Sequence, residues 1–151
     1  MKAFGKSQQG VLLLEAMIAV LIFSLGILAI VALQAASIRT QGDAKQRAEA
    51  SYLANQLIGR MWTDRGNLAG YAHNAAGAFS CDSAVGTSAT SASASLTTWL
   101  QNVSATLPNG TSGAQRIVVG AGNLVTITMC WRAGNNTRET RRYEIATQIA
   151  G

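Results

Sequence analysis

From Val11 to Leu33 the chain is an apolar run interrupted by a single carboxylate, Glu15, and from Ala16 to Ile38 it carries no charge at all. A helix needs about 20 apolar residues to cross a bilayer, so this run suffices. A charged side chain in the bilayer interior costs roughly 2.5–3.5 kcal/mol on translocon scales, which makes an intramembrane acid a functional residue by default. A short stretch with Lys2, Lys6 and Gly10 precedes the run. Its positive charge keeps the N-terminus cytoplasmic and places the remainder on the far side of the membrane.

Several kinds of segment open this way. A secretory signal has an apolar region of about 7–15 residues, shorter than this one, although a small-residue cleavage site is present at Ala35-Ala36-Ser37. No cysteine follows the span as a lipoprotein would require. A plain signal anchor accounts for the length and leaves Glu15 unexplained.

The basic leader, Gly10, the Val-Leu-Leu-Leu stretch and Glu15 ahead of a long apolar helix resemble the class III signal of type IV prepilins. Within that family, the Gln-Gly-Val-Leu-Leu-Leu-Glu-Ala-Met run and the Ser24 to Leu28 stretch are most similar to PilV-type minor pilins. The resemblance is strong over residues 1 to 60 and architectural beyond. It implies cleavage after Gly10 by a prepilin peptidase and N-methylation of Val11. It also implies that Glu15 guides docking against the N-terminal amine of a neighbouring subunit. The chain departs from the family at Val11, where Phe is commonest, and at Leu12, where Thr or Ser is usual. It also lacks the helix proline of many major pilins, since Pro108 is its only proline. These departures point toward a minor pilin.

The expected partners are other minor and major pilins, the prepilin peptidase, the inner membrane before assembly and the inner-membrane assembly platform. The rival readings are a minor pseudopilin of a type II secretion system and a singly anchored periplasmic binding domain.

At 151 residues the chain fits a leader (1–10), a membrane or filament-core helix (11–36) and one head domain (37–151). Net charge is +5, falling to +3 on loss of Lys2 and Lys6, too modest to argue for nucleic acid. Cys81 and Cys130 lie beyond the span, in an oxidising compartment, and one disulfide is the simplest reading. Two free buried thiols are the alternative.

Helical spacing continues from Ser37 to Arg65. Ile38, Ala48, Tyr52, Leu57, Met61 and Trp62 are expected near the packed face, with Arg39, Asp43, Lys45, Arg47, Glu49 and Arg60 outside. Periodicity is lost from Arg65 to Ser95, and the Ser/Ala/Thr tract from Ser83 to Ser95 reads as a flexible connector. Leu96, Trp99, Leu100 and Val103 then predict a short helix ending before Pro108. Three strands are expected over Arg116–Val119, Asn123–Trp131 and Arg141–Ile149, in an antiparallel meander turning at Gly120–Asn123 and at Gly134-Asn135-Asn136. The fold class is α+β: a long helix packed on a small antiparallel sheet, as in pilins.

No catalytic constellation is recognisable, and neither a cofactor nor a small-molecule substrate is implied. His73 is the sole histidine and reads as a surface or packing residue. Metal binding would need more ligands, and Asp64, Asp82, Glu139 and Glu144 lack calcium-loop spacing. The cluster Arg132, Arg138, Arg141 and Arg142 reads as a solvated hairpin end. DNA binding has no support without interleaved aromatics. Trp99 and Trp131 are expected in the core.

Overall fold

The computed structural model describes residues 9–91, 93–132 and 139–150. The leader lysines Lys2 and Lys6, the Gly134-Asn135-Asn136 turn and Arg138 lie outside the described residues. The chain divides into two units, Met1–Gln41 and Gly42–Gly151.

Helix α1 runs from Gln9 to Thr63. In the first unit every described side chain from Gly10 to Gln41 is exposed. The most apolar window of the helix has a mean hydropathy of 2.9 and buries nothing, so this helix is long and apolar enough to cross a membrane. The Ser24 hydroxyl donates to the Val20 carbonyl at 2.7 Å, which satisfies a polar group within the helix itself, as an apolar surrounding demands.

The second unit opens with the C-terminal stretch of α1. Its packed face is Ala50, Leu53, Ala54, Leu57, Ile58 and Met61, the i, i+3, i+4, i+7 pattern of a core-facing helix. This corrects the expected face. Leu57 and Met61 are indeed buried, but Ile38 and Tyr52 are each 69% exposed and Trp62 is 37% exposed. Ala48 is exposed as well. Bulk misled the reading: Tyr52 lies five residues before Leu57 and so on the far side of the helix. The small Ala50 and Ala54, both 0% exposed, belong to this packed face.

A 3-10 turn at Arg65–Tyr71 follows, then the single-turn α2, Cys81–Ala84. Helix α3 spans Ala94–Thr106. The Ser93 hydroxyl caps it by accepting from the Leu96 amide at 3.4 Å. Leu96, Trp99, Leu100 and Val103 are all buried, as their spacing predicts. After Pro108 the chain turns at Asn109, whose φ of 55° is left-handed.

Strands β1 (Gln115–Val119), β2 (Leu124–Arg132) and β3 (Thr140–Gln148) form one antiparallel sheet in the order β1-β2-β3. The β1–β2 turn passes through Gly122 and Asn123 at φ 66° and 58°, conformations that suit these two residues. In register, Ile117 faces Ile127 and Ile127 faces Ile145. Val125, Ile127, Met129 and Trp131 share the core face as their alternation predicts. The observed layout is therefore the expected α+β one: a long N-terminal helix with a small three-stranded antiparallel sheet packed on it, as in pilin-like folds.

Polar contacts tie α1 to α3 and to the sheet. The Trp99 indole donates to the Leu53 carbonyl at 2.9 Å and the Trp131 indole to Gln46 Oε1 at 2.8 Å. Tyr143 reaches Ser51 Oγ at 3.2 Å, and Arg141 pairs with Asp43 at 2.9 Å.

The revised face makes a direct prediction. Leu57→Ala lowers the unfolding free energy by about 2–5 kcal/mol, whereas Tyr52→Ala changes it by less than about 0.5 kcal/mol. Chemical denaturation followed by tryptophan fluorescence distinguishes the two, and the expected face requires equal losses.

Candidate functional site

The residues singled out for processing and docking lie on the first turns of α1. Gly10 is exposed, and a Cβ built there meets nothing within 4 Å. Val11 is 66% exposed. Glu15 is exposed too and forms no ion pair among the described residues. Val11 and Glu15 are four residues apart and so share a helical face one turn apart. What the structure brings together here is a small residue, an apolar residue and an acid, in that order, on one bare helix end.

An apolar groove runs along this helix, lined by Leu13, Met17, Val20, Leu21 and Leu25 among others. Such a surface has a large free-energy gain on burial, roughly 25 cal/mol per Å². Either acyl chains or other apolar helices satisfy it.

In the second unit Cys81 and Cys130 form the expected disulfide, with Cα atoms 5.5 Å apart and a sequence separation of 49. Cys130 lies on the central strand, on the side opposite Met129 and Trp131. Val85 and Ala114 bury against it, with Phe79 and Cys81 alongside, as a small cluster separate from the main core. Arg132 Nη2 donates to the Asp82 carbonyl at 3.1 Å, and Arg116 Nη2 to the Ala75 carbonyl at 3.0 Å. The disulfide thus pins a segment that has little core of its own.

His73 is 4% exposed. Its Nε2 lies 2.9 Å from the Ser112 carbonyl, and its backbone exchanges hydrogen bonds with Ile117 on the outer side of β1. It is a packing residue that closes the sheet edge. Among the described residues no group of three or more His, Cys, Asp or Glu could hold a metal ion. Asp64 accepts from the Tyr71 hydroxyl at 3.1 Å, and Asp82 is joined to Arg132 through its carbonyl.

Of the arginines read as a solvated cluster, Arg132, Arg141 and Arg142 lie among the described residues, and each makes a polar contact. Arg141 bridges Asp43 and Glu139, each at 2.9 Å. Arg142 pairs with Glu144, which also accepts from the Thr128 hydroxyl at 2.9 Å. These hydrogen bonds, from Arg142 first and then Thr128, hold the Glu144 carboxyl below its usual range. Sequence reasoning did not anticipate the Asp43–Arg141 and Gln46–Trp131 contacts, because each joins residues more than 80 positions apart.

Two predictions follow from this geometry. Replacing both Cys81 and Cys130 by Ala costs about 4 kcal/mol on the chain-entropy estimate for a loop of this length, measurable by denaturant titration under identical buffer conditions. Because the Glu144 pKa is depressed on folding, its contribution is present above the unfolded carboxylate range and is lost as pH falls through the folded value. Thr128→Val removes part of that depression and moves the acid-unfolding midpoint to higher pH, by circular dichroism. An unchanged midpoint would show that the hydroxyl does not contribute. No family model matches the chain, and neither a curated protein nor a solved structure is detectably similar to it.

Proposed function

We propose that this chain is a type IV prepilin, processed after Gly10, that assembles as a minor pilin of the PilV type. The supporting observation is the wholly exposed apolar helix with Glu15 near its start and Gly10 just ahead of Val11. A chain anchored for life needs lipid-compatible surface but no acid in it; a chain that leaves the membrane for a fibre needs a device that sets register. Glu15 supplies one. A carboxylate in apolar surroundings is strongly destabilising unless paired, so only the docking position that presents the neighbouring Val11 amine is tolerated.

Before assembly the chain sits in the bacterial inner membrane with its head in the periplasm, and afterwards at the cell surface within the pilus. Its mechanism is assembly rather than turnover. The peptidase frees Val11, Glu15 guides docking, and the apolar helix joins the filament core. The disulfide-pinned head faces outward or toward other minor pilins, in initiation of the fibre, motility and adhesion.

The mature N-terminus tests the processing step. Mass spectrometry of the protein from native membranes should find N-methylated Val11; an intact Met1 in cells with active peptidase, or a start near Ile38, would end the filament reading. Glu15→Ala should leave membrane insertion intact and reduce incorporation into sheared surface fibres by at least about tenfold. Deletion that blocks protein export and leaves surface fibres unchanged would instead assign the chain to a type II secretion system.

A further inference from the structure

The two edges of the sheet are finished differently. Along β1 the edge is closed: His73 and Ile117 exchange main-chain hydrogen bonds at 3.0 and 2.8 Å, and Asn74 Nδ2 donates to the Gln115 carbonyl at 2.8 Å. Strand β3 forms the other edge. Its register with β2 is unbroken over nine residue pairs, and it holds neither proline nor lysine. Bulges, prolines and lysines are common devices against strand addition, and β3 has none of them.

The backbone groups left over on β3 can be assigned. The Ile149 amide donates to the Asn123 carbonyl at 3.0 Å, and hydrogen-bonded pairs in an antiparallel ladder recur at every second residue. Thr147, Ile145, Tyr143 and Arg141 therefore turn their N–H and C=O groups to β2, and Arg142, Glu144 and Ala146 turn theirs outward. All three are exposed, and among the described residues no main-chain hydrogen bond reaches those groups. The core side of β3 is incomplete as well. Val125, Ile127, Met129 and Trp131 on β2 are buried, whereas Tyr143 and Ile145 pack against the same core only half-buried.

We propose that β3 pairs antiparallel with β3 of a second copy of this chain, about a two-fold axis at Tyr143. In that register Arg142 of each copy lies opposite Glu144 of the other, and the outward backbone groups of both residues are satisfied. The charges select this register. An axis at Glu144 or at Arg142 sets like charges face to face, which is destabilising. An axis at Ile145 leaves Arg142 opposite Gln148 and Glu144 opposite Ala146. At the chosen axis the two Tyr143 side chains form a non-hydrogen-bonded pair, the closer kind, and cover the half-exposed side of each core. The axis is normal to the sheet, so the two chains enter their heads at Gly42 from opposite directions. Under the proposed topology the paired heads therefore come from opposing membranes or fibres; the pairing itself does not rest on that reading.

The test uses the full chain in detergent, where the orientation of the two copies is free. Tyr143→Cys should give a disulfide-linked dimer on mild oxidation at about 100 μM protein, because the paired Cα atoms lie about 4.5 Å apart. Glu144→Cys, offset from its own copy across the axis, should not. Sedimentation equilibrium should show a concentration-dependent dimer of the unmodified chain. Its dissociation constant should rise by about tenfold or more in Arg142→Glu and return toward the original value in the double variant Arg142→Glu/Glu144→Arg. Ala146→Pro removes an outward N–H that β2 does not use, so it should abolish the dimer and keep the fold by circular dichroism. Three results each overturn the proposal: a monomer at every concentration, equal cross-linking of Tyr143→Cys and Glu144→Cys, or unchanged dimerisation in Arg142→Glu and Ala146→Pro.

Discussion

The head is organised around the buried face of α1, which two tryptophans tie to α3 and to the sheet. Trp99 and Trp131 are both fully buried, and each sends its indole N–H to α1, one to a main-chain carbonyl and one to Gln46. A buried indole without an acceptor would carry a desolvation cost of about 1–3 kcal/mol. The two bonds therefore resist sliding of α1 against α3 and against β2. Ala50 and Ala54, both fully buried, lie on the same face of α1, where a larger side chain would have to displace its neighbours. The Asp43–Arg141 pair and the Ser51–Tyr143 contact extend the same seam, but as half-exposed contacts they add direction more than stability.

The physical contrast within α1 follows from this. From Gly42 onward the helix has a sheet to cover one face, and its outer face can be polar or mixed. Before Gly42 it buries none of its side chains, and its sequence is correspondingly apolar on all sides. A helix apolar all round belongs in lipid or among other helices. Glu15 is the single acid in that stretch, and its meaning depends on which of those two surroundings is considered. At the membrane boundary it can snorkel, at little cost. Inside a helix assembly it needs a cation, and under the proposed processing the Val11 amine of a neighbouring chain would supply one.

Much of this was legible in the sequence because the strongest signals are periodic. Strict alternation in β2 and the i, i+3, i+4, i+7 set of α3 survive in the structure unchanged, and so do the cysteine pairing and the α+β layout. The face of α1 was misread because hydrophobic bulk was weighted above spacing. Tyr52 and Trp62 look like core residues and are not, while Ala50 and Ala54 look neutral and are central. His73, Arg132 and Arg141 have partners far away in sequence, and no local pattern announces a bond from Arg141 to Asp43. At the processing end the situation is reversed. Gly10, Val11 and Glu15 are a sequence motif first, and the structure adds only that all three are exposed on a continuous helix.

The Ser/Ala/Thr tract shows why low complexity is a poor guide to structural role. Composition alone suggests a connector, since such residues bury too little apolar area to order themselves. Here the ordering comes from elsewhere: a disulfide immediately upstream holds Cys81 to the central strand, and backbone bonds from Ala89 and Gly113 tie the tract to the turn before β1. Once anchored at both ends, small side chains do not fill space, they leave it. A wall of Ser, Ala and Thr opposite α3 necessarily yields a shallow cleft lined with hydroxyls, where bulkier residues would have closed it. The same tract is uninformative in sequence and ordered in the fold, because its order comes from partners outside it.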